Sequence, residues 1–219
     1  GCGKTTVLKI LAGLHDADGG TIKIVSSKTP FDPARDIGMV FQQALLLKWR
    51  TILDNVLLPA EIVGLPMRAA RSRARDLLNL VGLAGYEDKY PQQLSGGMQQ
   101  RTAIARAFIH DQKLILMDEP FGALDPPTRL NMQALLVDLW REAHATVFFV
   151  THSIEEAVYL GDRVYVFSSA PGTILREMRV PPSDRPPKEM QRDPAFLERV
   201  FELRDLMDTL RSSTRAGDD

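Results

Sequence analysis

The sequence predicts an α/β fold built on a mostly parallel sheet. Leu114-Ile115-Leu116-Met117 and Ala145–Val150 are short apolar runs of the kind buried on both faces of such a sheet. Stretches with helical periodicity separate them, so strands alternate with crossovers. The chain has 219 residues, 44% hydrophobic and 25% charged, enough for one ordinary globular domain with a small appendage.

Taken in order, the pattern predicts a first helix over about Lys4–Leu14, with Val7, Leu8 and Leu11 on its inner face. Gly13 and Gly19-Gly20 punctuate the chain there. Strands are expected at Thr21–Val25 and Ile37–Phe41. Leu53–Leu83 reads as helical, broken near Gly64-Leu65-Pro66. Its Arg68, Arg71, Arg73 and Arg75 read as a solvated helix face. A helix is expected from Ser95 to about His110, a strand over Lys113–Met117, a helix near Thr128–Glu142 and a strand over Ala145–Val150. Strands at Arg163–Ser168 and Thr173–Val180 would close the core.

Pro181-Pro182-Ser183-Asp184-Arg185-Pro186-Pro187 reads as a stiff linker. One amphipathic helix follows over Pro194–Leu210, either packing on the domain or binding a partner. The expected domain plan is one core domain over 1–180 with a helical subdomain near 50–110. A linker over 181–193, a helix over 194–211 and a disordered tail over 212–219 complete it.

Formal net charge is −1, so no global basic field attracts nucleic acid, and none is expected as a partner. A single cysteine, Cys2, excludes an internal disulfide and fits a reducing compartment. No apolar run approaches the roughly 20 residues of a membrane-spanning helix.

Three motifs carry chemistry. Gly3-Lys4-Thr5 matches the end of the phosphate-loop pattern G-x-x-x-x-G-K-[ST]. Such a loop, here with Gly1, Cys2, Gly3 and Thr6, turns backbone N–H groups toward phosphate oxygens. Lys4 would reach the β- and γ-phosphates, and the Thr5 hydroxyl would bind Mg²⁺. The first glycine and the next two positions of the pattern would precede residue 1, so the chain reads as a fragment, expected to be inactive and poorly soluble alone. Leu114–Met117 delivers Asp118 and Glu119 to the carboxyl edge of the sheet, where α/β folds bind ligands. Asp118 would hold Mg²⁺ through water, and Glu119 would polarise the attacking water. Leu94-Ser95-Gly96-Gly97-Met98-Gln99-Gln100-Arg101 places Ser-Gly-Gly at a helix start, a second anion-binding terminus about 90 residues after the first. One domain needs only one phosphate loop. The second makes sense if it serves a nucleotide held by another copy.

Together these motifs resemble the ATPase domain of ABC transporters, a P-loop NTPase fold with a mostly parallel sheet and a helical subdomain. The resemblance runs to about Val180. It implies that Leu94–Arg101 is the family signature and that Leu114–Glu119 with Pro120 is its second nucleotide motif. It implies that Gln42 is the Q-loop glutamine touching Mg²⁺ and the attacking water. By the same resemblance Asp125 belongs to the D-loop, His152 is the switch histidine at the γ-phosphate, and Glu119 is the catalytic base. Two copies would stack head to tail, each ATP lying between Lys4 and Thr5 of one and Ser95 and Gly97 of the other. The segment after Gln42, through about Asn55, would face a membrane permease. Leu45, Leu46, Leu47 and Trp49 suit either a partner groove or local packing.

A narrower likeness is to the nitrate/sulfonate/taurine importer branch. It rests on Pro120–Asp125, Glu155–Val164, Asp193-Pro194-Ala195-Phe196 and Trp49-Arg50, although Lys48 stands where that branch usually has Pro. It implies a peripheral subunit on the cytoplasmic face of a bacterial inner membrane, serving a permease and, indirectly, a substrate-binding protein. Competing classes are a soluble ABC ATPase of DNA repair or translation, a phosphate-loop kinase or GTPase, and an exporter half. The first usually carries two cassettes or a coiled-coil insertion, and the second would need another motif in place of Leu94–Arg101. Against the third stand Pro120–Asp125 and Glu155–Val164.

Overall fold

Strand β2 (Leu114–Asp118) is buried along its whole length because it lies between two parallel neighbours, β1 (Ile37–Val40) and β3 (Thr146–Val150). Ile37 pairs with Leu114 on one side, and Leu114 pairs with Thr146 on the other. In this computed structural model the described residues are 3–24, 31–110, 112–143, 145–168 and 172–215. They fall into two compact units, one of residues 6–150 and one of 1–5 with 151–219.

In the larger unit, helix α1 (Lys4–Leu11) lays the fully buried Leu8 on Leu114, Leu116 and Val150. Burying such a side chain contributes about 2 kcal/mol. The helix stops at Leu11, short of the expected Leu14. Gly13 takes φ +69°, its N–H bonds Ile10 O, and Leu14 N–H reaches back to Lys9 O at 2.9 Å. That is the hydrogen-bond pattern of a glycine-terminated helix end. The strand expected at Thr21–Val25 does not form over Thr21–Ile24, which have no ladder partner among the described residues; Val25 lies outside them. Ile24 still packs against the Leu8 cluster.

After the short helix α2 (Pro33–Asp36) and β1 comes the helical part of this unit. It consists of α3 (Ile52–Ile62), α4 (Met67–Leu80) and α5 (Gly96–Ala107). The break predicted at Gly64-Leu65-Pro66 separates α3 from α4: Gly64 at φ +74° ends α3 as Gly13 ends α1. The three helices bury Val56, Leu57, Ala74, Leu78, Ala103 and Ile104. Arg68, Arg71 and Arg75 are exposed, and Arg73 donates to Phe108 O. Helix α6 (Pro126–Ala143) is two residues longer at its start than the sequence pattern gives.

The smaller unit holds α7 (Ile154–Leu160), β4 (Arg163–Phe167), β5 (Ile174–Arg179), α8 (Pro187–Met190) and α9 (Pro194–Arg215). The two strands expected to close the core form at about the expected positions, as a two-stranded sheet of their own. They pair with each other antiparallel, and β5 is exposed except at Met178. Only six residues separate them, enough for a hairpin but too few for a parallel crossover. The stretch expected as a linker is anchored: Ser183 is buried and donates to Tyr159 O, Tyr159 donates to Arg185 O, and α8 begins at Pro187. Helix α9 buries Phe196, Val200 and Leu203 and packs on α7, which favours the packing role over partner binding. It runs on to Arg215, so the tail expected to be disordered from Ser212 begins as helix; 216–219 lie outside the described residues.

Candidate functional site

Buried strand β2 ends on Asp118, which pairs with Val150 across the ladder and is 6% exposed. The backbone then bends sharply. Glu119 sits at φ +45°, a left-handed conformation that is uncommon and strained for a residue with a Cβ. Its N–H still bonds Val150 O at 2.8 Å, so the sheet itself holds the bend. The bend turns Glu119 toward the segment after β1, where Gln42 Nε2 donates to Glu119 Oε2 over 3.4 Å. Gln42, Asp118 and Glu119, three residues singled out from sequence, thus share the carboxyl edge of one parallel sheet.

Ser95 caps α5. Its Oγ accepts from Met98 N at 3.3 Å, which leaves the hydroxyl proton to donate elsewhere. Ser95 and Gly96 are exposed. A Cβ at Gly97 would lie 3.2 Å from Leu124 Cδ2, so the start of α5 packs closely against the turn before Asp125. Asp125 in turn caps α6, accepting from Thr128 N at 3.2 Å. Hydrogen bonds from the Thr128 hydroxyl and backbone hold its carboxyl below the ordinary carboxylate range.

In the smaller unit, Gly3 takes φ +88° immediately before α1, a turn that only glycine makes without strain. Lys4 and Thr5 open the helix, and Thr5 is exposed, as is Thr6, the first residue of the larger unit. Gly1 and Cys2 lie outside the described residues. His152 is exposed on the turn between β3 and α7. A local network fixes that turn. Thr151 Oγ1 donates to the buried Glu156 at 2.6 Å and accepts from Ser153 N, while Ser153 Oγ caps α7 by accepting from Glu156 N.

Sequence reasoning missed the residues that hold these loops. Asn55, Gln100 and Arg106 bind the backbone after β1, and Glu156 frames His152. Asn55 is fully buried and Gln100 is 2% exposed, which the sequence pattern alone does not give.

The family model for ABC transporters matches residues 1–122. The chain belongs to the ABC transporter family. An uncharacterized ABC transporter ATP-binding protein of Methanocaldococcus jannaschii, MJ0412, is 48% identical over 180 residues, covering 82% of this chain and 67% of that protein. The nitrate import ATP-binding protein NrtD of Synechocystis is 40% identical over 213 residues, covering 94% of this chain and 80% of its own length. A taurine import ATP-binding protein, TauB of Rhizobium johnstonii, is 46% identical over 175 residues, covering 80% of this chain and 66% of its own. Among solved structures, the ATP-binding cassette MJ0796 as a dimer bound to ADP and Pi superposes with a TM-score of 0.72 at 35% identity, covering 82% of each chain. The fold is therefore the P-loop ABC ATPase fold, with parallel sheet and helical part as the sequence implies, and ABC proteins of this kind are ATPases. Among the described residues, no helix of this ABC protein is long and apolar enough to cross a membrane.

Proposed function

We propose that this chain is the ATP-binding and ATP-hydrolysing subunit that energises an ABC importer for a small anion of the nitrate, sulfonate or taurine class. The observation that carries the chemistry is Glu119, set in a strained bend directly after buried Asp118 with the Gln42 amide on its carboxylate. The relatives named for nitrate and taurine import support the substrate class.

In this reading Glu119 is the general base, orienting and deprotonating the attacking water, and Gln42 keeps the carboxylate aimed at it. Lys4 and the Gly1–Thr6 amides take the phosphates, and His152 touches the γ-phosphate. Ser95, Gly96 and Gly97 take the phosphates of the nucleotide on a second copy, with Asp125 in the turn beside them. The donor set suits Mg²⁺, which prefers one or two carboxylates with water and phosphate oxygens. Asp118 supplies a carboxylate, Thr5 a hydroxyl, and Gln42 an amide oxygen, since its Nε2 is turned to Glu119. Bound there, Mg²⁺ would neutralise charge on the phosphate oxygens. Leu45, Leu46 and Trp49 face permease subunits, and the protein acts peripherally on the cytoplasmic side of a bacterial inner membrane, a binding protein delivering the cargo.

Glu119→Gln keeps shape and removes the base and one negative charge. Hydrolysis should fall about 10²-fold or more, while ATP binding persists and the protein accumulates as an ATP-bound dimer in size-exclusion chromatography with Mg-ATP. Adding Ser95→Arg places a bulky cation at the cross-copy contact and should return it to monomer. A Glu119→Gln protein that stays monomeric, or a dimer that survives Ser95→Arg, would refute the shared-site mechanism.

A further inference from the structure

The segment after Gln42 is gripped by the helix that begins at Ser95. Gln100 Nε2 donates to Phe41 O at 2.9 Å. Two turns further along α5, the Arg106 guanidinium holds two successive carbonyls, Ala44 O at 2.9 Å through Nη2 and Leu45 O at 3.0 Å through Nη1. Leu45 sits at φ +44°, a left-handed conformation that a bulky side chain resists, so something must hold it there. From the other side Asn55 of α3 accepts from Leu47 N at 2.7 Å and donates to Leu47 O, Arg50 O and Thr51 O. The loop is thus strapped to two helices while its apolar tip stays outside: Leu45 is 55% and Trp49 74% exposed.

Arg106 could be an ordinary buried arginine satisfying spare carbonyls. Its geometry is more specific than that. A planar fork spans two adjacent carbonyls at once, which a lysine point charge cannot do. Burial pushes the pKa of Arg106 below the usual arginine value, a desolvation cost that hydrogen bonds to the two carbonyls offset. One rigid helix therefore carries the phosphate-binding Ser95 at its start and the loop clamp near its end.

We propose that Arg106, with Gln100, is a positioning residue that locks the backbone of residues 41–45 to the Ser95 helix, so that docking of nucleotide at Ser95 is transmitted to the Leu45–Trp49 tip. This rests on the reading that Ser95 contacts ATP held by a second copy. When α5 shifts on closure, Phe41, Ala44 and Leu45 move with it, and Gln42 between them is carried along. Without the Arg106 fork the left-handed Leu45 relaxes and the tip no longer follows the helix.

Amide hydrogen exchange on the full chain tests this. In Glu119→Gln protein, Mg-ATP should slow exchange several-fold both at the start of α5 and over residues 44–50. Adding Arg106→Gln should leave the ATP-bound dimer on size exclusion and the slowing at the start of α5, but abolish the slowing over 44–50. Arg106→Lys, which keeps the charge and one carbonyl bond, should give an intermediate effect, and it serves as the probe if Arg106→Gln does not fold. A merely structural arginine would loosen helix and loop alike, with or without nucleotide. Persistent ATP-linked slowing of 44–50 in a dimeric Arg106 variant overturns this inference alone. Failure of the Arg106-intact protein to dimerise overturns the shared-site reading and this inference with it.

Discussion

Replacing Asn55 by leucine removes a buried amide while roughly keeping its volume, so the cost falls on the hydrogen bonds and little on a cavity. Four bonds are lost, to Leu47 N, Leu47 O, Arg50 O and Thr51 O. Two of the carbonyls keep other donors: Leu47 O still accepts from Arg50 N, and Thr51 O from Asn55 N. The Leu47 N–H and the Arg50 carbonyl lose the partner they had. Each orphaned group costs about 1–3 kcal/mol, and Leu47 and Arg50 are half-buried, so the sum should lie near the low end, about 3 kcal/mol. Urea unfolding followed by fluorescence reads this directly. Trp140, whose indole donates to Ala145 O at 2.9 Å, reports on the same unit away from the loop. The midpoint should fall with the slope unchanged. A shift equivalent to less than about 1 kcal/mol would refute the claim that Asn55 carries this loop. Asn55→Asp should be worse at neutral pH, because it keeps an acceptor for Leu47 but aims a second oxygen at three carbonyls.

Leu46→Asp and Trp49→Asp should each abolish co-purification with the permease while ATP hydrolysis by the isolated subunit survives; retention of the permease by both would rule out this face as the docking surface. Asp36 supplies a pH dependence. Burial raises its pKa, but the Asp32 N–H, the hydrogen bond from Lys113 Nζ at 3.0 Å and the charges of Lys113 and Arg35 outweigh that, leaving it below the usual carboxylate value. A depressed folded-state pKa stabilises fully above the unfolded value of about 3.9 and is lost as pH falls through the folded one. The melting-temperature gap between wild type and Asp36→Asn should therefore be widest at neutral pH and close below about pH 4; a gap that does not narrow would contradict it.

What the sequence made legible follows local rules. Gly64-Leu65-Pro66 announces a helix end because the required φ and the missing donor are properties of those residues alone. Leu114–Met117 announces a buried strand because nothing polar interrupts it, and Asp118 and Glu119 follow from where such a strand must end. The hairpin of β4 and β5 was less legible, because alternation gives a strand but not its neighbour. The straps on the Gln42 loop were not legible at all. Gln100 reaches a carbonyl 59 residues away and Arg106 one 62 residues away, and no local pattern encodes a side chain's bond to distant backbone. Arg106 looks like any arginine in the last turn of a helix until the loop is folded against it. The left-handed bend at Glu119 is hidden for a similar reason, since glutamate has no intrinsic preference for it and the Val150 carbonyl imposes it.

That bend has a consequence for anyone who engineers this protein. A left-handed non-glycine residue carries on the order of 1 kcal/mol of strain or more. At residue 119 a glycine would relax it and raise heat resistance while deleting the carboxylate proposed above as the general base. Random libraries sorted on residual structure after heating should therefore enrich Glu119→Gly, and on the proposed role of Glu119 the hardiest clones would be inert. Sorting on turnover after the heat step keeps the costly glutamate, and the strain at this one residue measures how far the two selections pull apart.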